Sequence, residues 1–242
     1  MIVIPMAGLS RRFADAGYSR PKYMLDLRGR SVFAHAVGSF RTYFASEPFL
    51  LIVRDVAGTP DFVRAECRAL GIRAADVVTL DEPTRGQAET VALGLEAAAV
   101  PAGEPVTVFN IDTFRPGFRF PAFDRTVDGW LEVFPGSGLN WSYVRPMPGS
   151  DRVVQTTEKV PISDLCCTGM YHFGSAGLFR ETYDAYAADA ADGPTELYVA
   201  PMYNLAIAGG ADIRYARIDP GEVIFCGVPA EYEALLREPA AA

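Results

Sequence analysis

Lysine is nearly absent from this chain, because only Lys22 and Lys159 are lysine among 22 basic residues and arginine fills every other position. A lysine that persists in an arginine-rich composition indicates a place that needs a compact ammonium group rather than a planar guanidinium. Chance is the alternative explanation. The sequence around each lysine has to decide between the two.

Cysteine is also scarce, and its four copies form no Cys-x-x-Cys pair and no metal-ligand spacing. Four free thiols are typical of proteins of the reducing cytoplasm, so a cytoplasmic location is expected. No apolar stretch approaches the ~20 residues of a membrane-spanning helix. The first residues also lack the basic region of a signal peptide. A net charge of −8 argues against membrane and nucleic-acid partners.

The first thirty residues differ from the rest, because they carry six basic side chains against two acidic ones. An apolar run at residues 2–4 leads into a loop of small residues at 7–10, which Arg11 and Arg12 follow directly. The N–H groups of such a loop can surround an anion, and arginine or lysine adds full charge. A positive cluster on an acidic chain favours a small polyanionic ligand over nucleic acid, which needs a broad basic face. The loop lacks the G-x-G-x-x-G pattern, which argues against a dinucleotide-dependent reductase.

Helical and strand patterns alternate through the first 110 residues. The patterns predict helices over residues 31–44, 59–71 and 88–99, and buried strands over residues 49–53, 77–80 and 106–109. This alternation predicts an α/β fold with a doubly wound, mostly parallel sheet that binds ligands beyond the carboxyl ends of its strands. Strand patterns joined by turns then predict a mixed sheet in the second half. No linker separates the halves, so residues 1–242 are expected to form one domain with halves at 1–115 and 116–242.

Short motifs recur along the chain in a fixed order. They are AGLSRRF (7–13) with PK (21–22), then GQA (86–88), NID (110–112), EK (158–159), TGMY (168–171) and GVP (227–229). This ordered set resembles the signature of the sugar-nucleotide pyrophosphorylases, nucleotidyltransferases that join a nucleoside triphosphate to a sugar 1-phosphate. The resemblance implies a Rossmann-like, GT-A-like fold. Ser10 departs from the pattern, because that family usually has a second glycine there.

The resemblance also implies a nucleotide-binding first half. Arg12, Lys22 and Asp112 would be catalytic, with Arg12 on the triphosphate, Lys22 on the α-phosphate and Asp112 holding Mg²⁺. The rest of the implied nucleotide site consists of Ala7, Gly8, Leu9, Ser10 and Gln87. Each polar residue also has an ordinary explanation: a solvated arginine pair, a turn aspartate, and a glutamine in the first turn of a helix.

By the same resemblance, the second half would bind the acceptor. Glu158 would accept hydrogen bonds from acceptor hydroxyls and Lys159 would pair with the acceptor phosphate, while Thr168 and Gly169 would line the pocket. The alternative for Glu158 and Lys159 is an exposed turn. The scarcity of lysine in the chain favours the functional interpretation.

The closing motif contains a second departure from the family pattern. The family usually has a second metal-binding aspartate two residues before its final glycine, whereas this chain has Phe225. Three alternatives stay open: a metal held by Asp112 with phosphates and water, a substitute ligand such as Glu222 or Asp219, or weak activity. The first is physically acceptable, since Mg²⁺ commonly takes only one or two carboxylates.

The leading hypothesis is a Mg²⁺-dependent nucleotidyltransferase that makes precursors for surface polysaccharide or lipid-head-group decoration. Its partners would be a nucleoside triphosphate and a sugar 1-phosphate or small phosphorylated metabolite, and a homodimer is an open possibility. A nucleotide-binding regulatory homologue is one alternative, motivated by Phe225. A GT-A-type glycosyltransferase is another, although residues 110–112 offer one acid where an Asp-x-Asp motif is usual.

Overall fold

The described chain is a layered arrangement of strands and helices. The computed structural model describes residues 1–190 and 196–238. The strands are β1 (Ile2–Met6), β2 (Asp26–Leu27), β3 (Arg30–Ser31), β4 (Phe49–Arg54), β5 (Ala75–Leu80), β6 (Val106–Phe109), β7 (Thr113–Phe114), β8 (Gly129–Pro135), β9 (Ser142–Pro146), β10 (Val153–Glu158), β11 (Leu165–Phe173), β12 (Ile213–Arg217) and β13 (Ile224–Phe225). The helices are α1 (Arg11–Asp15), α2 (Val32–Gly38), α3 (Thr59–Leu70), α4 (Gln87–Ala97), α5 (Ala176–Asp189), α6 (Tyr203–Ala208) and α7 (Pro229–Arg237).

The central sheet confirms the predicted fold class. Strands β6, β1, β4 and β5 lie side by side and parallel, so the order reverses next to β1, which has β4 on one side and β6 on the other. Loops that follow β1 and β6 therefore meet at the carboxyl edge, which is where open α/β sheets bind ligands.

The second half extends this sheet with strands of mixed direction. Strand β11 runs antiparallel to β6 and also pairs with β8 and β9, while β12 runs parallel to β8 and β10 runs antiparallel to β9. Long β11 thus joins the two halves. It carries Thr168 and Gly169 beside the end of β6.

Both faces of the sheet are buried, which explains the uninterrupted apolar runs in the sequence. Alternate residues of β1 enter different cores: Ile2 and Ile4 face one cluster and Val3 the other. The cluster around Ile2 also takes in α2, α3 and Phe13 of α1. The loop after β1 therefore extends from a rigid strand.

Two short two-stranded sheets lie outside the central one. Strand β2 pairs with β3, and β7 pairs with β13, where Phe225 lies opposite Thr113 and Ile224 opposite Phe114. The second of these small sheets follows Asp112 directly.

None of the helices in residues 1–190 and 196–238 combines the length and the apolar character needed to cross a membrane.

Candidate active site

The loop after β1 has the backbone of an anion-binding loop. The N–H groups of Gly8, Leu9 and Ser10 find no acceptor among the described residues, and unpartnered N–H groups of successive residues suit a phosphate. Ser10 has the left-handed backbone angle φ = 49°, which a glycine would adopt without strain. Its carbonyl accepts hydrogen bonds from the N–H groups of Phe13 (2.9 Å) and Ala14 (3.1 Å). The serine therefore has a backbone conformation that glycine adopts more readily.

Aromatic contacts hold helix α1, which follows this loop. Phe13 is buried and meets the rings of Tyr18 and Tyr232 edge-on, at centroid distances of 5.4 and 6.1 Å. Arg12 is exposed next to it. Phe13 thus anchors the helix and leaves Arg12 at the surface beside the loop.

Lys22 and Asp112 meet, although 90 residues separate them in sequence. Their side chains form an ion pair and are each about one-fifth exposed. The backbone N–H of Lys22 also donates a hydrogen bond to the Ser10 hydroxyl oxygen at 3.4 Å. A β-carbon on Gly227 would lie 3.1 Å from a carboxylate oxygen of Asp112. The loop of residues 7–10, the Pro-Lys segment, the end of β6 and the GVP motif therefore converge on one carboxylate.

Phe225 provides no second metal ligand beside Asp112, because its side chain has no donor atom. Its ring packs against Trp141 and Phe134, at centroid distances of 4.6 and 5.4 Å. Of the two acids considered as substitutes, Glu222 pairs with Arg115, and its other carboxylate oxygen accepts a hydrogen bond from the Asp219 N–H at 2.9 Å.

The carboxylate of Asp112 fits a magnesium ion that draws its other ligands from phosphate and water. Across residues 1–190 and 196–238, no group of three or more His, Cys, Asp or Glu side chains is arranged to hold a metal ion. Mg²⁺ does not require such a cluster, since it keeps several waters and commonly binds one or two carboxylates together with substrate phosphates.

Gln87 faces the same end of the sheet. Its amide donates to the side-chain oxygen of Asn110 at 2.6 Å, two residues before Asp112. A β-carbon on Gly169, where φ is +95°, would collide with the Asn110 amide at 2.2 Å, and one on Gly86 would collide with the backbone of Leu197 at 2.5 Å. These two glycines of the GQA and TGMY motifs permit close approaches that no larger residue would allow.

Glu158 and Lys159 lie at the end of β10 with a set of hydroxyl groups. Ser142 donates to Glu158, and burial is the main cause of a raised Glu158 pKa. The Lys159 ammonium lies 3.8 Å from the Glu158 carboxylate and 4.4 Å from the centre of the Tyr198 ring, and it also donates to the Tyr198 hydroxyl. Lys159 has the left-handed angle φ = 58°.

Tyr198 connects this group with Arg12. Burial first, and then Glu196 and Glu158, raise the Tyr198 pKa, whereas the charge of Arg12 lowers it. Arg12, from the first half, therefore lies within electrostatic reach of the residues around Lys159. Backbone hydrogen bonds of Leu197, the residue before Tyr198, with Arg85 (2.7 Å) and Ala88 (3.0 Å) also join this group to the GQA motif.

Thr168 is buried, and its hydroxyl donates to the Glu132 carboxylate at 3.1 Å. Its predicted role in acceptor binding stays a prediction. Tyr198, Ser142 and Asn110 are polar residues of this region to which the sequence patterns assigned no role. For Asn110 a signal existed, because it opens the NID motif, whereas Tyr198 and Ser142 stand in no motif.

Comparisons with known proteins identify the family of this chain. A profile of the MobA-like NTP transferase domain matches residues 2–117. The crystal structure of the nucleoside-diphosphate-sugar pyrophosphorylase from Vibrio cholerae RC9 is 52% identical in sequence and superposes with a TM-score of 0.94 over 98% of this chain and 100% of that one. The chain belongs to this family of nucleotidyltransferases. A comparison with curated proteins gave no match.

More distant nucleotidyltransferases share the fold. The inositol-1-phosphate CTP transferase from T. maritima is 17% identical, with a TM-score of 0.72 over 100% of this chain and 97% of that one. The UTP-bound UGPase from Acinetobacter baumannii is 15% identical, with a TM-score of 0.69 over 97% and 91%. Membership of the nucleotidyltransferases favours the leading sequence hypothesis over a glycosyltransferase.

Proposed function

We propose that this nucleotidyltransferase joins a nucleoside triphosphate to a phosphate monoester, with release of pyrophosphate. The acceptor is a sugar 1-phosphate or a small phosphorylated metabolite, and the product is a precursor for surface polysaccharide. The observation that carries the proposal is the meeting of Lys22 and Asp112 beside the loop after β1. An acid that can hold a divalent ion and a lysine that can hold phosphate thus lie side by side next to the loop.

The acceptor needs no general base in this mechanism. A phosphate monoester has its second pKa near 6, so it is mostly dianionic at neutral pH and attacks the α-phosphorus in line. The protein then has to position the two anions and neutralise charge. Magnesium, when bound at Asp112, neutralises phosphate charge. Lys22 leaves Asp112 to contact the α-phosphate and the attacking oxygen, and Arg12 holds the departing pyrophosphate.

The two halves, residues 1–115 and 116–242, divide the recognition within one domain. In the first half, the loop of residues 7–10 binds the triphosphate and Gln87 recognises the base. In the second, Lys159 binds the acceptor phosphate and Glu158 its hydroxyls, with Thr168 and Gly169 on the acceptor side. The reaction is placed in the cytoplasm, in agreement with four cysteines that are all free thiols.

Pyrophosphate release tests the proposal. The protein is incubated with each of ATP, CTP, GTP, UTP and dTTP, with Mg²⁺ or Mn²⁺, against sugar 1-phosphates, inositol 1-phosphate and phosphocholine. We expect release with at least one pair, and loss of that release in Asp112→Asn. Arg11→Ala, in which an exposed neighbour of Arg12 is removed, is the matched control and should keep its rate. Absence of release with every pair and both metals would contradict the proposal.

Phe225 offers a separate check, because a regulatory homologue would bind nucleotide without turnover. If the wild-type protein binds a triphosphate but releases no pyrophosphate, Phe225→Asp should restore release. If the wild-type protein is active, one carboxylate suffices. Phe225→Asp should then lower its rate, because an acid would replace a ring that packs against Trp141.

A further inference from the structure

An ionic network surrounds Arg115, three residues after Asp112, and its buried centre, the Arg115–Glu132 pair, has no role in the proposed mechanism. It consists of Arg115, Glu132, Thr168 and Glu222, and is called the Arg115 network below. The side chains of Arg115 and Glu132 are 7% and 3% exposed, and Arg115 Nε lies 3.0 Å from each carboxylate oxygen of Glu132. Arg115 Nη1 donates to the Glu222 carbonyl oxygen at 3.1 Å, and Nη2 lies 3.4 Å from its carboxylate. Thr168 adds a hydrogen bond to Glu132.

Stability alone does not account for a buried pair of this kind. Removing two charges from water is costly, and buried ion pairs can often be replaced by apolar residues without loss of stability. The arginine fork fixes directions as well as distances, so the network is suited to hold particular segments in one arrangement.

The Arg115 network joins the segment that carries Asp112 and β7 to the segment that leads into β13. Arg115 comes three residues after Asp112, directly behind β7, and Glu222 comes two residues before β13. Two residues in each strand make a weak sheet by themselves, because isolated strand pairs are marginal in water. One further bond ties this sheet to the site, since the Cys226 N–H donates to the Asp112 carbonyl at 2.8 Å. Without an outside anchor, the backbone around Asp112 would depend on very few hydrogen bonds.

The other end of the network is rigid. Glu132 lies within β8 of the central sheet, and Thr168 lies within β11 next to Gly169. The Arg115 N–H also donates to the hydroxyl oxygen of Ser39 at 2.8 Å, which follows α2. Arg115 therefore attaches the β7–β13 sheet to the central sheet and to α2 at once.

We propose that Arg115 is a positioning residue, which acts through Glu132 and Glu222 to fix the β7–β13 sheet and thereby the carboxylate of Asp112. The inference rests on the proposed function of Asp112 as a metal-binding residue. It assigns to Thr168 a supporting contact with Glu132 through its hydroxyl, in addition to any role on the acceptor side.

Hydrogen–deuterium exchange of the free protein tests the positioning itself. In Arg115→Lys, which keeps the charge and loses the fork, peptides that cover residues 110–116 and 222–227 should exchange faster, while other peptides keep the wild-type rate. Arg214→Lys is the matched control, because Arg214 also pairs with two acids, Asp151 and Asp212, and lies on β12, away from Asp112. It should leave both regions unchanged.

Kinetics test the consequence. The Mg²⁺ concentration for half-maximal pyrophosphate release should rise about tenfold in Arg115→Lys, as is usual when a partner of a metal-binding residue is lost, with KM for the triphosphate changed less than about twofold. Glu222→Gln should shift both readouts in the same direction by a smaller amount. If Arg115→Lys does not fold, Glu222→Gln provides the test instead, because the Glu222 carboxylate of the wild-type protein is half exposed.

Three results would overturn the inference: unchanged exchange in the two regions, faster exchange across the whole chain, or an unchanged Mg²⁺ requirement. Failure of the proposed function is distinguishable from these. In that case the wild-type protein releases no pyrophosphate, while the local exchange difference between Arg115→Lys and Arg214→Lys still shows whether Arg115 fixes the β7–β13 sheet.

Discussion

The two lysines of the chain lie in contrasting surroundings, one in each half. Lys22 forms an ion pair with Asp112, and both side chains are about one-fifth exposed. Lys159 is about half exposed, lies 3.8 Å from Glu158 and rests over the ring of Tyr198. The first lysine is held by the charge of Asp112, which follows the parallel strand β6, and the second by an aromatic ring and a left-handed backbone.

This contrast indicates a division of labour. The phosphate chemistry of a triphosphate is the same for every base and acceptor, so charged groups in a fixed arrangement serve it well. Acceptors differ in shape, and aromatic rings, hydroxyls and a partly exposed lysine can be altered without rebuilding the sheet. We therefore expect the first half to govern turnover and the second half to govern which acceptor is bound.

The largest effect is expected at Lys22. Lys22→Ala should lower kcat by about 10²–10³-fold, as loss of one preorganised charged donor typically does. Lys22→Arg should also be impaired, because a planar guanidinium does not replace a compact ammonium. Steady-state pyrophosphate release measures both variants. Near-normal kcat in Lys22→Ala would remove Lys22 from the reacting centre.

A control separates this effect from unfolding. Removal of Lys22 leaves Asp112 partly exposed to water, so the thermal midpoint of Lys22→Ala should stay close to that of the wild-type protein.

The second effect belongs to Lys159 and should appear in binding. Lys159→Ala should raise KM for the acceptor about 10–100-fold, the equivalent of a lost charge-assisted hydrogen bond of roughly 1.5–3 kcal/mol. KM for the triphosphate should not change. Tyr198→Phe, which keeps the ring and loses the hydroxyl, should have a smaller effect. A change confined to the triphosphate KM would contradict the division between the halves.

The parts of the fold that follow from local chemistry were predictable from the sequence. The strand predicted over residues 106–109 is β6, and the helix predicted to begin at residue 31 has Ser31 as its N-cap, which accepts from the Ala34 N–H at 3.0 Å. The helix predicted over residues 31–44 ends at Gly38, because glycine weakens a helix and the Ser39 hydroxyl is engaged by Arg115. The apolar pattern also predicts a helix over residues 194–208, a range that begins outside the described residues. Its described part is helical over Tyr203–Ala208.

The residues of the site were also predictable where a motif and the sheet topology place them, but not where a contact joins residues that are distant in sequence. Asp112 stands in a motif just after β6, and Lys22 lies in the segment that connects β1 to β2 by way of α1, so the topology of the parallel strands brings these segments together. Tyr198 lies 39 residues from Lys159, and its neighbours in sequence give no sign of the contact. Glu132 also gave no signal, because a single acid inside an apolar strand looks like a residue on a solvated face until its partner Arg115 is known.

A smaller effect is expected on the way the KM for the acceptor depends on pH. Burial raises the Glu158 pKa, opposed by Ser142 and Lys159, and Glu196 raises it further. As pH falls, the Glu158 carboxylate therefore becomes protonated at a higher pH than an ordinary glutamate, whose pKa is about 4.3. KM for the acceptor should rise as pH falls through that raised pKa. Glu158→Gln should leave only the dependence that comes from the acceptor's own second pKa, about 6, and should raise KM about 2–10-fold at neutral pH.

KM for the triphosphate, measured in the same titration, is the internal control for Glu158. It should not follow the acceptor KM. If both constants rise together as pH falls, the titrating group acts on the whole site and the assignment to Glu158 fails.

The two halves share one feature, because Ser10 in the first and Lys159 in the second both have a left-handed backbone. The smallest effect is expected from a substitution of Ser10. Ser10→Gly relieves strain of about 1–2 kcal/mol, while glycine's greater freedom in the unfolded chain opposes it by about 0.5–1 kcal/mol. The free energy of unfolding in urea should therefore rise by at most about 1.5 kcal/mol, with kcat changed less than about twofold. Ser10→Ala, which keeps the strain and loses the hydroxyl, is the control and should be the less stable variant. The reverse order would mean that the hydroxyl near the Lys22 N–H, at 3.4 Å, matters more than the backbone angle.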